Sequence, residues 1–543
     1  MNLCFVWVKD FKNLQGVGLN FSNELEFYFE ATARILSQSE KNPMPSLFGE
    51  QITSITGILG VNGSGKTNSL ELICRALKSP EKLKNDYLLI YSVEGALFYS
   101  TNIKEKINSG FEITVGTEDH LDNFHTIYFS NVFDKNYIDF GGGVVDVSVN
   151  NKNNPRTLAR QRHVMESDFL NDLDFLLSPE FASIELQPPP RVEIKIDRFI
   201  SRHERNLDED AAMPILRYFA GVRRGNKNRG KTAVVAQTIQ IEFLKALLSN
   251  VPQKEQFASA MSSILASESE LDLKAFIILF REMYLATNAF VPWDNNFPMF
   301  ESLTVLLKLE SFFDEMLLRI DDTVKGSRYI FTIDYEDSES FYYRHLACIL
   351  QGIRYSSIAW AGISSGQRAY FNLFSSIWNG MQNQRLAPVK RHGALICIDE
   401  GDLYLHPQWQ IEFIDRLIKC LPRISGGKIQ IVITTHSPIL ISDLPRQCIV
   451  LLSRPGDNSA VGGANSIEAP KTFAANLYDI YQYSFGLQQK RSGNLSSRYL
   501  KKIYSLLDKN ALSDSEVQEL KLAISVIDDE IIKYHIKSRV DLQ

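Results

Sequence analysis

Two spacings of apolar residues alternate along this 543-residue chain, and their order predicts its fold. Ile52, Ile55, Ile58 and Leu59 form a β-prone run, and Leu70, Ile73, Cys74 and Leu77 then recur at helical spacing. Leu395–Ile398 and Ile429–Ile433 are almost continuous apolar runs, the pattern of strands covered on both faces of a parallel sheet. Thr126–Phe129 and the opening residues Met1–Asp10 also read as strands. Between these blocks, Leu244, Leu247 and Leu248, then Leu271, Phe276, Leu279 and Phe280, then Leu303, Leu306, Leu307 and Phe312 lie in apolar helical stretches. Pro252, Pro292 and Pro298 interrupt them, and no a/d heptad persists, so no long coiled-coil arm is expected. The fold class expected is α/β, with a mainly helical stretch in the middle and a helical tail.

The strand-to-helix transition at residue 60 carries the first chemistry. Gly60-Val61-Asn62-Gly63-Ser64-Gly65-Lys66-Thr67 fits G-x-x-x-x-G-K-[ST] at every fixed position. Glycines let such a loop wrap so that successive N–H groups converge on phosphate oxygens. Lys66 adds a charge at the β- and γ-phosphates, and the Thr67 hydroxyl suits Mg²⁺. ATP and Mg²⁺ are therefore the expected ligands.

Three later segments extend the site. Ile363-Ser364-Ser365-Gly366-Gln367 precedes a helix with Tyr370, Phe371, Phe374, Ile377, Trp378 and Met381 on one face. A serine–glycine turn there presents unpaired N–H groups and the positive end of the helix dipole, as any N-cap does. The run Leu395–Ile398 ends in Asp399 and Glu400, at the strand end where open α/β sheets hold ligands. Asp399 is expected in the Mg²⁺ shell, and Glu400 is expected to orient and deprotonate the attacking water. Ile429–Ile433 leads to Thr434-Thr435-His436-Ser437-Pro438, where His436 is placed to sense the γ-phosphate.

Composition narrows the setting. Hydrophobic residues at 44% and charged residues at 22% are those of an ordinary globular protein, and a net charge of −6 leaves nucleic-acid contact to a local patch. The one basic run is Val222–Lys231, with Arg223, Arg224, Lys227, Arg229 and Lys231; it reads either as a solvated loop or as a phosphate-backbone contact to DNA or RNA. No apolar run reaches membrane-spanning length. Six cysteines without C-x-x-C spacing point to buried, reduced thiols in a cytoplasmic protein.

Phosphate loop, serine–glycine signature, acidic strand and histidine, in that order, resemble the ATP-binding-cassette class of P-loop ATPases. Within it they resemble the SMC, RecF and OLD group. Phe11-Lys12-Asn13-Leu14 is similar to that group's early nucleotide-contacting turn, implying nucleotide contacts from Lys12 and Asn13. Glu400-Gly401-Asp402-Leu403-Tyr404-Leu405-His406-Pro407 is similar to its acidic, Leu-His-Pro segment. The signature departs from the commoner Leu-Ser-Gly-Gly-Gln by having Ser365 at its third position, and Ser130-Asn131 takes the place of the glutamine-bearing loop. The Glu-Gly-Asp-Leu-Tyr-Leu-His-Pro wording and the helical tail further resemble the ATPase family of Septu-type anti-phage systems, some of which accompany retrons.

The resemblance implies an ATPase head built from 1–150 and 341–455, split by an insertion at 151–340 and followed by a tail at 456–543. It also implies a two-fold dimer in which Ser364, Ser365, Gly366 and Gln367 meet the partner's nucleotide, a separate HNH nuclease as effector, and DNA or retron RNA–DNA as further partners. The alternative is a RecF-like DNA-repair ATPase without a dedicated nuclease; a transporter subunit fits less well. Asp528-Asp529-Glu530 is expected mid-helix, which argues against an intrinsic Toprim-type nuclease. The tail packs either on its own chain or on a partner.

Overall fold

The structure, a computed structural model, describes residues 1–152, 168–197, 209–225, 230–248, 251, 254–267, 271–286, 299–320, 328–353, 356–382, 393–425, 427–452, 471–484, 493–509 and 511–541. At its centre six parallel strands run in the order Val144–Asp146, His125–Ser130, Ala394–Asp399, Ile429–Thr434, Ile52–Gly60, Ile449–Leu452. Strands from distant parts of the chain thus lie side by side. The register aligns Ser130, Asp399, Thr434 and Ile58 in one row, which brings the predicted polar strand ends to a common edge.

Both faces of this sheet are covered, as its unbroken apolar strands require. Leu395, Cys397, Val432 and Ile58 pack with Leu70, Ile73, Cys74 and Leu77 of the helix Lys66–Lys78. Their neighbours Ile396, Ile398, Ile431 and Ile433 face the other way, with Phe371 and Phe374 of the helix Ser365–Gln382 and Phe413 and Leu417 of the helix Pro407–Ser425. The period-2 alternation hidden in the continuous runs decides which helix each strand residue meets.

An antiparallel sheet, ordered Leu14–Asn20, Asn2–Phe11, Tyr87–Val93, Ala96–Thr101, Thr114–Val115 except for a last parallel pair, supplies Leu3, Val6 and Leu89 to the first of these cores. Gln430 ties the two sheets: its amide oxygen accepts the Leu3 N–H at 2.7 Å, and its nitrogen donates to the Leu3 carbonyl at 2.8 Å and to Ser54 Oγ at 3.0 Å. This buried amide is fully engaged, so burying it costs little.

The middle of the chain holds short helices, Glu209–Gly225, Lys231–Leu248, Lys254–Ser267, Leu273–Ala286 and Met299–Glu315, none longer than 18 residues. It also holds a four-stranded antiparallel sheet in which Arg191–Asp197 pairs with Arg328–Asp334 and with Ser356–Ala361. Pro252, Pro292, Pro298, Lys227, Arg229 and the connector Gly456–Ala464 lie outside the described residues.

One expectation is corrected in the tail. Asp528 and Asp529 are not mid-helix: one helix ends at Val526, the next is Glu530–Asp541, and Asp529 Oδ1 accepts the N–H groups of Ile531 and Ile532 at 3.0 Å. The acids here cap a helix N-terminus, where a carboxylate both takes up orphan donors and suits the dipole. All six cysteines are free and buried. No helix among the described residues is long and apolar enough to cross a membrane.

Asp172, on the helix Asp168–Leu176, accepts the Ser375 hydroxyl at 2.6 Å, and burial lifts its carboxyl to about 7. The unfolded carboxyl ionises near 4, so the folded state binds this proton more tightly. Its contribution to stability is complete below about pH 4 and is lost as pH rises through about 7. Asp172→Asn keeps the hydrogen bond and removes the titration. The fall in Tm between pH 5 and pH 8 should shrink by about two degrees relative to wild type, and thermal scans at both pH values check this.

Candidate functional site

The strand Ile52–Gly60 and the helix Lys66–Lys78 are joined by five residues, and only glycine serves at the last of them, Gly65, and at the strand end, Gly60. Gly65, the helix N-cap, has φ +103°, and a Cβ there would lie 2.7 Å from Asn13 Oδ1. A Cβ on Gly60 would run into Ser64 Oγ and would sit 2.8 Å from the Leu452 carbonyl oxygen. The turn after the first strand braces this loop: Asn13 Nδ2 donates to the Gly63 carbonyl at 2.7 Å, and Asn68 Nδ2 donates to Asn13 Oδ1 at 2.6 Å. Lys12 adopts a left-handed φ of 55° and pairs with buried Glu71, which also holds Arg75 at 2.7 Å. Asn13 therefore touches the loop, whereas Lys12 is engaged on the flank of its helix.

Lys66 is buried, and its Nζ donates to the Gly60 carbonyl at 3.0 Å. Burial pushes its pKa down, and the carboxylates of Glu400 and Asp399 act against that shift. Thr67 Oγ1 lies 3.0 and 3.2 Å from the two Asp399 oxygens, across 332 residues of sequence. Asp399 is only 3% exposed and accepts two further hydroxyls, Thr434 Oγ1 at 2.5 Å and Tyr128 at 3.1 Å. Burial raises its pKa even so, because three neutral donors do not replace bulk water around a charge.

Glu400 follows the strand at φ 48°, its N–H donating to the Thr434 carbonyl at 3.1 Å and to Thr434 Oγ1 at 3.0 Å. The left-handed turn swings its side chain out of the strand, to 3.5 Å from His436 Nε2. His436 chiefly, and Lys66 to a smaller extent, hold the Glu400 carboxyl below its ordinary range. Lys66, Thr67, Asp399, Glu400 and His436 thus converge on one edge of the sheet. Three buried polar atoms at its strand ends, Ser64 Oγ, Asn131 Nδ2 and Asp402 Oδ1, have no hydrogen-bond partner in the protein. A phosphate oxygen, a hydrated cation or water would meet that unmet demand.

The donor set suits a magnesium ion. Thr67 and Asp399 offer oxygen only, and Asp399 is a buried carboxylate with no cation bonded to it. No group of three His, Cys, Asp or Glu side chains among the described residues could cage a metal. Mg²⁺ characteristically takes one or two protein ligands and completes its shell with phosphate and water.

The signature residues bond to one another. Ser364 N–H donates to Gln367 Oε1 at 2.8 Å and Gln367 N–H donates to Ser364 Oγ at 3.1 Å, a reciprocal cap on the helix Ser365–Gln382. Ser364 and Ser365 are exposed, and a Cβ on Gly366 would meet the Tyr404 carbonyl at 3.4 Å, so the signature borders the loop that leaves Glu400. Asn131 Oδ1 accepts from Asn372 of that same helix at 3.0 Å, and Asn372 Oδ1 accepts from Lys152 at 3.2 Å.

In the basic run, Arg223 and Arg224 belong to the helix Glu209–Gly225 and not to a loop, and the Arg223 guanidinium pairs with buried Glu242. Lys231 begins the next helix.

Tyr128 and Thr434 are not legible in the sequence as Asp399 partners, although Tyr128 lies in an expected strand and Thr434 directly follows one. Glu71, which engages Lys12, gave no signal beyond a charge on an otherwise apolar helix face.

A family model described as "AAA domain, putative AbiEii toxin, Type IV TA system" matches residues 228–442, less than half of the chain. The retron Ec83 probable ATPase of Escherichia coli is 31% identical over 141 residues, 24% of this chain and 25% of that protein. The retron Vc95 probable ATPase of Vibrio cholerae serotype O1 biovar El Tor is 30% identical over 101 residues, 18% of each chain. The Septu protein PtuA of Bacillus thuringiensis is 47% identical over 53 residues, 10% of this chain and 12% of that protein. The chain is thus similar to ATPases of the Septu and retron kind, and the matches span a quarter or less of these relatives' own lengths.

Proposed function

We propose that this chain binds and hydrolyses ATP and that the hydrolysis cycle controls an effector in anti-phage defence. The observation that carries the catalytic part is the 3.0 Å contact between Thr67 Oγ1 and Asp399, with Lys66 and Glu400 beside it. A phosphate loop and an acidic strand 332 residues apart meet there, as phosphoryl transfer to water requires.

The loop N–H groups and Lys66 hold the β- and γ-phosphates. Thr67 and Asp399 would hold Mg²⁺, which neutralises charge building up on the β–γ bridge. Glu400, kept ionised by His436 and Lys66, orients the attacking water; its low pKa makes it a better hydrogen-bond acceptor than proton abstractor, which suits a loose phosphoryl transition state. Loss of the γ-phosphate alters the charge facing His436, and this is the event that reports hydrolysis.

In this reading 1–150 and 341–455 form the head, 151–340 an insertion and 456–543 the tail. The exposed signature serines then serve the nucleotide of a second copy in a two-fold dimer. The effector is a separate nuclease of HNH type, as the Septu resemblance implies. With Glu400→Gln and ATP, solution mass should double relative to the nucleotide-free chain. A mass unchanged by ATP would remove the composite-site part of this reading. Affinity capture from the native operon should recover the nuclease; recovery of repair proteins instead would favour the RecF-like alternative.

A further inference from the structure

A small polar cavity lies beside the hydroxyl shell of Asp399 and takes no part in the chemistry above. It measures about 20 Å³, room for about one occupant the size of a water molecule. Its walls include Tyr128, Ser130, Asp146, Ser148, Asn150 and Asn151. Strand register explains the cluster. Asp146 ends the edge strand Val144–Asp146 directly beside Tyr128, and Ser130 follows Tyr128 by two residues, on the same face of the sheet. Tyr128 in turn donates to Asp399 at 3.1 Å, so one phenol separates the cavity from the residue that would hold Mg²⁺.

These walls offer oxygen and a negative charge, because the N–H groups around them are spent within the protein. Ser148 N–H donates to Asp146 Oδ1 at 2.9 Å, and the N–H groups of Val132 and Asn151 donate to Ser130 Oγ and Ser148 Oγ, each at 3.2 Å. The amide nitrogens of Asn150 and Asn151 donate to Asp134 Oδ1 and to the Asp146 carbonyl, both at 2.7 Å. Burial lifts the Asp146 carboxyl to about 6; hydrogen bonds from Ser148 oppose that shift, and no lysine or arginine among the described residues does. At neutral pH the carboxylate is thus ionised without a cationic partner, a costly state. Its charge and that of Asp399 both act on the Tyr128 phenol.

We propose that this cavity binds one monovalent alkali cation, of about the size of potassium, on oxygens of Asp146, Ser130 and Tyr128. One carboxylate among neutral oxygens balances a single positive charge. Ca²⁺ takes more oxygens than this cavity supplies, and Mg²⁺ keeps several of its waters, for which there is no room. A cation against the phenol oxygen makes the Tyr128 hydroxyl a stronger donor to Asp399. Potassium therefore speeds ATP hydrolysis, a consequence that rests on the function proposed above; the binding itself does not.

Thermal scans of the full chain without nucleotide, in potassium chloride against choline chloride at equal ionic strength, read the site apart from catalysis. Potassium near saturation should raise the wild-type Tm by about 2–4 degrees. Asp146→Asn keeps an acceptor for the Ser148 N–H and removes the charge. Its Tm should equal or exceed that of wild type in choline and should not move when potassium is added. With ATP and Mg²⁺, wild-type turnover should fall about threefold when choline replaces potassium, the worth of part of one hydrogen bond, and turnover of Asp146→Asn should not respond. Crystals of the wild-type chain soaked in thallium(I), a potassium mimic, need no variant and should show an anomalous peak against Asp146. Equal wild-type Tm in both salts, a potassium shift that persists in Asp146→Asn, or a cavity holding water and no thallium would overturn the site. Equal turnover in both salts would overturn its link to Asp399. A chain that hydrolyses no ATP would remove the functional reading and leave the thermal and crystallographic results standing.

Discussion

Glu400→Gln should bind ATP within about threefold of wild type and hydrolyse it roughly 10²- to 10³-fold more slowly, the usual size of a lost acid–base or water-orienting group. The amide keeps the shape of the carboxylate and one acceptor, so the turn at φ 48° and the two bonds from the Glu400 N–H to Thr434 persist. What goes is the negative charge that faces Lys66 and His436. Phosphate release under saturating ATP, with affinity measured separately, checks both halves. Turnover at the wild-type rate would put the water-orienting carboxylate elsewhere.

Lys66→Ala should weaken ATP binding on the order of 10- to 100-fold, the equivalent of about 1.5–3 kcal/mol for charge-assisted hydrogen bonds. Lys66 is the cation that Asp399 and Glu400 both act upon, and its removal leaves two carboxylates facing an incoming triphosphate. The Gly60 carbonyl also loses its 3.0 Å donor, so a thermal scan must accompany the calorimetry. Unchanged affinity in a folded variant would contradict the phosphate-loop assignment.

How far the chain could be read without coordinates follows from which signals are local. The phosphate loop was legible because its spacing encodes its backbone. Gly65 at φ +103° and Gly60 wedged against Ser64 and Leu452 are positions where a side chain does not fit. The strands Ala394–Asp399 and Ile429–Thr434 were legible because burial on both faces leaves no polar alternation. The hydroxyl shell of Asp399 was not, because Tyr128 and Thr434 come from the strands on either side and only register unites them. Lys12, expected to contact nucleotide, also pairs with Glu71, a neighbour that the motif does not reveal because it gives the residue type and not the fold around it. Asp528 and Asp529 read as helical because apolar spacing continues across the break from Leu520 to Ile532, and spacing alone does not reveal a three-residue connection.

The most direct test of the account is a crystal structure of the Glu400→Gln chain with ATP and Mg²⁺. The account predicts β- and γ-phosphates against the 60–67 loop and Lys66 Nζ, one Mg²⁺ touching Thr67 Oγ1 on its Asp399 side, and a water between the γ-phosphate and residue 400. A nucleotide bound away from this edge of the sheet, or a phosphate loop left without ligand at saturating ATP, would contradict it.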